Sequence, residues 1–185
     1  LMALLRREQT GQGDYIDVAM ADSIFAGVTN SLGSVFAEKK APVVAHERAL
    51  GGYAMYQIYD TADGRHIVLG GSEMHFAKAI LEKLGRPDLL PLCEPPPGPT
   101  QDPVKEFLRD TFITKTQAEW VEIFEGVNAA FAPVKDLREG ADDPQLRHRE
   151  MIVECERGWE HVGTPLKFKE EPGELNFNFA APGEH

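Results

Sequence analysis

The chain has 185 residues, of which 42% are hydrophobic and 26% are charged, as is typical of a soluble globular protein with one ordinary domain or parts of two. Its 19 basic and 30 acidic residues give a formal net charge of −11. Nucleic acid is therefore not expected as a partner, because phosphate binding needs a basic face.

The sequence also gives no sign of a membrane or export route. No run of about eighteen apolar residues predicts a membrane span. The apolar start of the chain leads into Arg6 and Arg7 instead of following basic residues, unlike a signal peptide. Cys93 and Cys155 lie far apart, which predicts free thiols in a reducing cytoplasm. The six histidines show no metal-ligand spacing, so no metal site is expected.

The first informative segment is residues 11–22, where a turn, a strand and a helix are predicted in succession. Gly11 and Gly13 lack the third glycine of a dinucleotide-binding loop and precede a strand instead of a helix, so they predict a turn. Residues 16–20 alternate between apolar and other side chains, which is typical of a strand. Residues 22–35 then carry apolar side chains at helical spacing, which predicts a helix that opens at Asp22.

Asp22 has two interpretations at this junction. An aspartate that opens a helix commonly accepts hydrogen bonds from the free amides of the first turn. A carboxylate held on a rigid element beside a cleft also suits a nucleophile. The residue type alone leaves both interpretations open.

An antiparallel hairpin is the clearest local prediction in the middle of the chain. Asp63 and Gly64 lie between two runs rich in aromatic and β-branched residues, at 53–59 and 66–69. A Gly-Gly pair stands on each side of this hairpin. Gly51-Gly52 suits either a backbone with positive φ or a mobile lid over an acyl group, whereas Gly70-Gly71 is explained by tight backbone approach.

The rest of the chain is predicted to be mostly helical, with two short extended pieces. Glu73 stands at the start of a helix opened by Ser72, where the helix dipole favours a carboxylate in any protein. A proline-rich loop precedes a helix that starts at Pro103. The other predictions are a capping box at residues 116–119, an extended piece at 132–134, a helix capped near Asp143, a strand at 151–155 and an extended tail from Gly163.

Taken in order, these segments resemble the family III CoA-transferases, which include formyl-CoA transferase and 2-methylacyl-CoA racemase. The resemblance covers the whole chain and is to the second half of such a protein. Because the chain begins inside a helix-like run and ends without a capping element, we expect a fragment of a longer polypeptide. The matching stretches are residues 10–13, 16–22, 59–65, 70–73, 118–120, 132–134, 143–145 and 163–165.

The resemblance implies an α/β fold in three parts. Residues 1–45 would end a large, Rossmann-like CoA-binding domain. Residues 46–157 would form a small α+β domain with the antiparallel hairpin, and residues 158–185 would return as an extended segment to the large domain. Two subunits would interlock as a homodimer. An acyl-CoA and a carboxylic acid would be the small-molecule partners, with the CoA thioester as a substrate and no permanently bound cofactor.

In the transferase branch, Asp22 matches the catalytic aspartate, which attacks the acyl-CoA thioester and passes through a mixed anhydride and an aspartyl-CoA thioester. Aspartate carboxylates are ionised at neutral pH, so no adjacent base is needed. Gly51, Gly52 and Tyr53 lie near the family's glycine-rich loop over the intermediate, although the loop is shorter here.

Two alternatives remain open. In the racemase branch a His and an Asp exchange the α-proton of the acyl-CoA, and these would lie upstream of Leu1. Glu73 matches the glutamate that orients the His, and residues 120–126 are also similar to racemases. The second alternative is that the chain alone is a non-catalytic fragment or an assembly module.

Overall fold

The first 44 residues form three helices that bury no side chain. The computed structural model describes residues 1–178 and 180–184. The N-terminal helices are α1 (Met2–Thr10), α2 (Met20–Gly27) and α3 (Thr29–Glu38). Gly11 ends α1 with φ +70°, which confirms the predicted turn. Large apolar side chains of this region, such as Ile16 and Ile24, are exposed to solvent.

Three predictions for this region are wrong. Residues 12–19 have no regular secondary structure and pair with no strand in the described chain, and a strand exists only through ladder hydrogen bonds with a neighbour. The helix begins at Met20, with Ala19 as its N-cap, so Asp22 lies in the first turn and does not open the helix. The single helix expected over residues 22–35 is broken at Val28, where φ is −93° and ψ is 20°.

A three-stranded antiparallel sheet forms the centre of the fold. Strands β1 (Tyr56–Asp60) and β2 (His66–Gly70) pair in register from Tyr56 opposite Gly70 to Asp60 opposite His66. Strand β3 (Phe131–Pro133) pairs with the other edge of β2. Gly64 has φ +72° in the connecting turn. The hairpin and the extended piece near residue 132 are therefore confirmed.

Three helices pack around this sheet: α4 (Met74–Lys83), α5 (Asp102–Phe112) and α6 (Gln117–Phe124). Short 3-10 turns lie at Arg48–Leu50, Pro87–Cys93 and Pro99–Gln101. The capping box of α6 is confirmed by both of its hydrogen bonds. The principal core comes only from residues 54–124 and consists of Ala54, Met55, Tyr59, Ile67, Leu69, Ala77, Ile80, Leu81, Leu89, Cys93, Val104, Leu108, Phe112, Trp120 and Phe124.

The C-terminal part carries a network of exposed ion pairs. It contains α7 (Leu137–Ala141), α8 (Pro144–His148) and a small hairpin of β4 (Ile152–Glu154) and β5 (Glu160–Val162). Arg138 and Arg147 both donate to Glu160, at 2.7 and 2.6 Å, and these bonds lower the pKa of Glu160 to about 2. From Gly163 onward the described chain has no further helix or strand, as predicted.

The turn of the β1–β2 hairpin is tied to α6 through Asp63. Its carboxylate accepts hydrogen bonds from the Thr61 hydroxyl at 2.6 Å and from the backbone N–H of Gln117 at 3.3 Å. The bond from Thr61, followed by the backbone bonds, lowers the pKa of Asp63. One carboxylate thus joins the hairpin turn to the start of a helix about fifty residues further along the chain.

Asp63→Asn is expected to lower the urea midpoint of unfolding at pH 7. A carboxylate with a lowered pKa in the folded state stabilises the fold above pH ~4, and this contribution is lost as the pH falls through the folded-state value. The difference in midpoint between wild type and variant should therefore shrink below pH ~4. Asp110→Asn, on the exposed face of α5, is the matched control. A difference that stays constant from pH 7 to pH 3 would contradict this account.

Candidate active site

Asp22 presents an uncommitted carboxylate at the start of α2. It is exposed, and among the described residues its side chain makes no hydrogen bond or ion pair. The first turn of a helix carries free N–H groups and a partial positive charge, which favours a negative side chain there. The carboxylate is therefore available to an incoming ligand.

Glu73 is a second uncommitted carboxylate, at the N-cap position of α4. Its backbone carbonyl accepts the N–H groups of Phe76 and Ala77, at 3.0 and 3.2 Å. Its side chain makes no capping hydrogen bond and is exposed. The sequence prediction of a helix start at this residue is confirmed, with the first helical residue at Met74.

Gly51 and Gly52 are glycines for reasons visible in the backbone. Gly51 has φ +86°, a conformation that side chains with a Cβ rarely adopt. A Cβ on Gly52 would lie 2.7 Å from both the Glu47 carbonyl oxygen and the His46 carbonyl carbon. The buried Gly52 also donates its N–H to the Glu47 carbonyl at 2.8 Å. The pair thus forms a tight turn packed against the preceding loop.

Each backbone carbonyl of residues 51–54 accepts a hydrogen bond from another group of the chain. Gln57 Nε2 donates to the carbonyls of Gly51 and Tyr53, at 3.1 and 3.0 Å. The Gly52 carbonyl accepts the N–H of Gly98 at 3.1 Å, and the Ala54 carbonyl accepts the Tyr59 hydroxyl at 2.7 Å.

Along this segment, backbone N–H groups that are hydrogen-bonded alternate with N–H groups that are not. Those of Gly52 and Ala54 have protein acceptors. Those of Gly51 and Tyr53 have no acceptor among residues 1–178 and 180–184. The segment therefore offers hydrogen-bond donors, and no free backbone acceptor, to a ligand that approaches it.

The predicted site residues lie on three separate elements. Asp22 is on α2, Glu73 is at the start of α4, and residues 51–53 follow a 3-10 turn. In the part of the chain that the structure describes, no hydrogen bond joins these three positions to one another. The structure also adds two glutamines that the sequence motifs did not single out, Gln57 and the fully buried Gln101.

The cysteines do not contribute a reactive thiol. Burial raises the pKa of Cys93 to about 11, so this thiol is protonated at neutral pH. Cys155 is also buried, and both cysteines are free.

Within residues 1–178 and 180–184, no group of three or more His, Cys, Asp or Glu side chains is arranged to hold a metal ion. None of the described helices is long and apolar enough to cross a membrane.

The comparisons with known proteins agree with one another. The pattern that defines CoA-transferase family III matches residues 1–185. The chain is 30% identical to alpha-methylacyl-CoA racemase from Homo sapiens over 164 residues, which cover 84% of this chain and 41% of the relative. It is 27% identical to acetyl-CoA:oxalate CoA-transferase from Acetobacter aceti over 201 residues, which cover 97% of this chain and 50% of the relative.

A solved structure supports the fold. The chain superposes on a CAIB/BAIF family protein from Brucella suis with a TM-score of 0.72 and 21% identity. That match covers all of this chain and 49% of the Brucella protein. The chain thus spans half or less of the length of the relatives it matches.

Gly52→Ala is expected to lower the free energy of unfolding by roughly 1–3 kcal/mol, because the new methyl group would overlap backbone atoms that cannot rotate away. Gly33→Ala in α3 is the matched control, since a Cβ there meets nothing within 4 Å and alanine favours helix by about 0.5–1 kcal/mol. Urea titration of both variants measures the difference. Equal stability of Gly52→Ala and wild type would mean that the turn can accommodate a Cβ at this position, which would contradict the close backbone contacts described above.

Proposed function

Because the chain belongs to CoA-transferase family III, which the match over residues 1–185 shows, we propose that it is part of an enzyme that transfers CoA between carboxylic acids through Asp22. The observation that carries this proposal is the exposed, uncommitted carboxylate of Asp22 in the first turn of α2. The acetyl-CoA:oxalate CoA-transferase among the relatives gives the reaction class.

The proposed reaction is covalent catalysis by a carboxylate. An Asp22 oxygen attacks the thioester carbonyl of the acyl-CoA, the C–S bond breaks, and a mixed anhydride and CoA thiolate result. The thiolate attacks the Asp22 carbonyl carbon, which releases the first acid and leaves an aspartyl-CoA thioester. The acceptor carboxylate attacks this thioester to form a second anhydride, from which the returning thiolate takes the new acyl group and frees Asp22. Each difficult exchange is thereby divided into easier steps.

The segment from Gly51 to Tyr53 is proposed to contact the reacting acyl group. The free N–H groups of Gly51 and Tyr53 are donors of the kind that stabilises negative charge on a carbonyl oxygen during acyl transfer. Gly52 is buried and holds the turn of this segment against the preceding loop. The CoA thioester enters this reaction as a substrate, and no permanently bound cofactor is proposed.

The exposed apolar side chains of α1–α3 support a larger assembly. Phe25 and Phe36 are each 58% exposed, and Met20 is 82% exposed. We propose that residues 1–45 complete a Rossmann-like CoA-binding domain and that residues 158–185 return to it. The whole protein is proposed to be an interlocked homodimer in the cytoplasm.

A second candidate function is α-proton exchange on a 2-methylacyl-CoA. The similarity to the human racemase and the uncommitted carboxylate of Glu73 favour it. In this reaction Glu73 would orient a histidine from the rest of the protein, and Asp22 would have no covalent role. A non-catalytic fragment or assembly module is the third candidate. Isothermal titration of this chain with CoA tests it, because release of heat would show a CoA site within the chain and exclude this candidate.

Asp22→Asn in the full-length protein is expected to reduce CoA transfer by roughly a thousandfold or more, since amides are poor nucleophiles. Incubation with an acyl-CoA and no acceptor should add the mass of CoA, less water, to the wild type and add nothing to the variant. Asp17→Asn, an exposed aspartate five positions earlier, is the control that should behave as wild type. Full transfer by Asp22→Asn would exclude the aspartyl route.

A single reaction in D₂O separates the two enzymatic candidates. The full-length protein is given a 2-methylacyl-CoA and an acceptor acid, and the products are analysed by mass spectrometry. A transferase should place CoA on the acceptor without deuterium at the α-carbon, with Glu73→Gln costing less than about tenfold. Deuterium incorporation without transfer, abolished by Glu73→Gln but retained by Glu82→Gln on the same helix, would establish the racemase instead.

A further inference from the structure

Gln101 is a fully buried polar residue that joins two loops. Its Oε1 accepts the N–H of Ala54 at 3.0 Å, and its Nε2 donates to the Pro95 carbonyl at 3.1 Å. The amide side chain therefore fixes the end of the 51–54 segment to the proline-rich loop that precedes α5. A buried amide of this kind is costly unless both ends are bonded, so the geometry of the two loops is coupled.

Gln57 holds the same segment from the other side. Its Nε2 reaches back from β1 to the carbonyls of Gly51 and Tyr53. Between these two bonds, Gly98 from the proline-rich loop donates to the Gly52 carbonyl. The carbonyls of residues 51–53 thus accept hydrogen bonds from Gln57 on β1 and from Gly98 in the proline-rich loop.

These bonds determine which groups the segment leaves available. With every carbonyl of residues 51–54 occupied and the N–H of Ala54 held by Gln101, the remaining donors are the N–H groups of Gly51 and Tyr53. The Gly51–Gly52 and Tyr53–Ala54 peptide planes are both held by Gln57, and the Ala54 N–H of the second plane is also held by Gln101. The Tyr53 N–H belongs to the peptide plane between these two, whose Gly52 carbonyl is held by Gly98 of the loop that Gln101 anchors. The Gly51 N–H lies directly before the first of them, so both donors take their direction from planes that the two glutamines flank.

We infer that Gln101, together with Gln57, is a positioning residue that aims the Gly51 and Tyr53 N–H groups at the acyl group of the substrate. This inference rests on the proposed function of the 51–53 segment. It assigns the segment to a fixed wall of the site, in contrast to the mobile lid that a Gly-Gly pair also permits.

The chain contains a matched control for this role. Gln117 is also a buried glutamine, and its Nε2 bonds two backbone carbonyls, of His66 at 2.6 Å and Val134 at 3.0 Å. It joins β2 to the segment after β3 and makes no hydrogen bond to residues 51–54. Gln101→Leu and Gln117→Leu therefore remove comparable buried bonds, and only the first touches the proposed site.

The experiment compares the two variants in the full-length protein. Both should lower the urea midpoint to a similar extent. Only Gln101→Leu should speed amide hydrogen exchange in residues 51–54 and lower kcat for CoA transfer by about ten- to a hundredfold, with KM changing less than kcat, because an oxyanion contact is stronger in the transition state than in the ground state. In the wild type, acetyl-CoA should slow exchange at Gly51 and Tyr53, and Gln101→Leu should abolish this protection.

The outcomes separate this inference from the proposed function. A wild type that transfers CoA while both variants lose kcat equally would overturn the positioning role alone. A wild type that transfers no CoA refutes the proposed function, and absence of acetyl-CoA protection at Gly51 and Tyr53 then also overturns the inference. Should Gln101→Leu fail to fold, Gln57→Leu tests the same role, because Gln57 is only partly buried and lies outside the proline-rich loop.

Discussion

The ring of Tyr59 lies 5.4 Å from that of Phe112, and this contact joins the β1–β2 hairpin to α5. Phe112 in turn packs edge-on against Trp120 at 5.1 Å, and the Trp120 indole N–H donates to the Phe112 carbonyl at 2.8 Å, which brings in α6. The Tyr59 hydroxyl donates a hydrogen bond to the Ala54 carbonyl. Burial raises the pKa of this hydroxyl, so it remains a donor at neutral pH. The glycine segment is therefore fastened directly to the aromatic core.

The two halves of the candidate site differ in how they are held. The 51–54 segment is bonded to the core through backbone groups, whereas Asp22 and Glu73 carry free carboxylates on exposed helix starts. Under the proposed function, this division suits acyl transfer, because the donors must be fixed while the nucleophile must be accessible. A net charge of −11 does not favour attraction of the phosphates of CoA.

The features that sequence predicted well are those set by a few adjacent residues. The Asp63-Gly64 turn, the Thr116 capping box and the Asp143 cap each depend on local hydrogen bonds, and the structure has all three. The strand expected at residues 16–20 depends on a neighbouring strand, which local alternation cannot supply. Gln101 was missed for a related reason: its bonds reach Ala54, 47 positions away, and a lone glutamine beside prolines carries no motif. The site assignments at Asp22, Gly51, Gly52, Tyr53 and Glu73, and the boundaries at residues 45 and 157, remain predictions.

The three N-terminal helices contain nine, eight and ten residues, lengths at which an isolated helix is marginal in water. Because they bury none of their own side chains, their order draws little on the core that begins at Ala54. Helices of this length acquire stable order only when their apolar faces are covered. The three helices are therefore expected to open at a lower free-energy cost than the sheet and its helices, so that local order in this chain is not uniform.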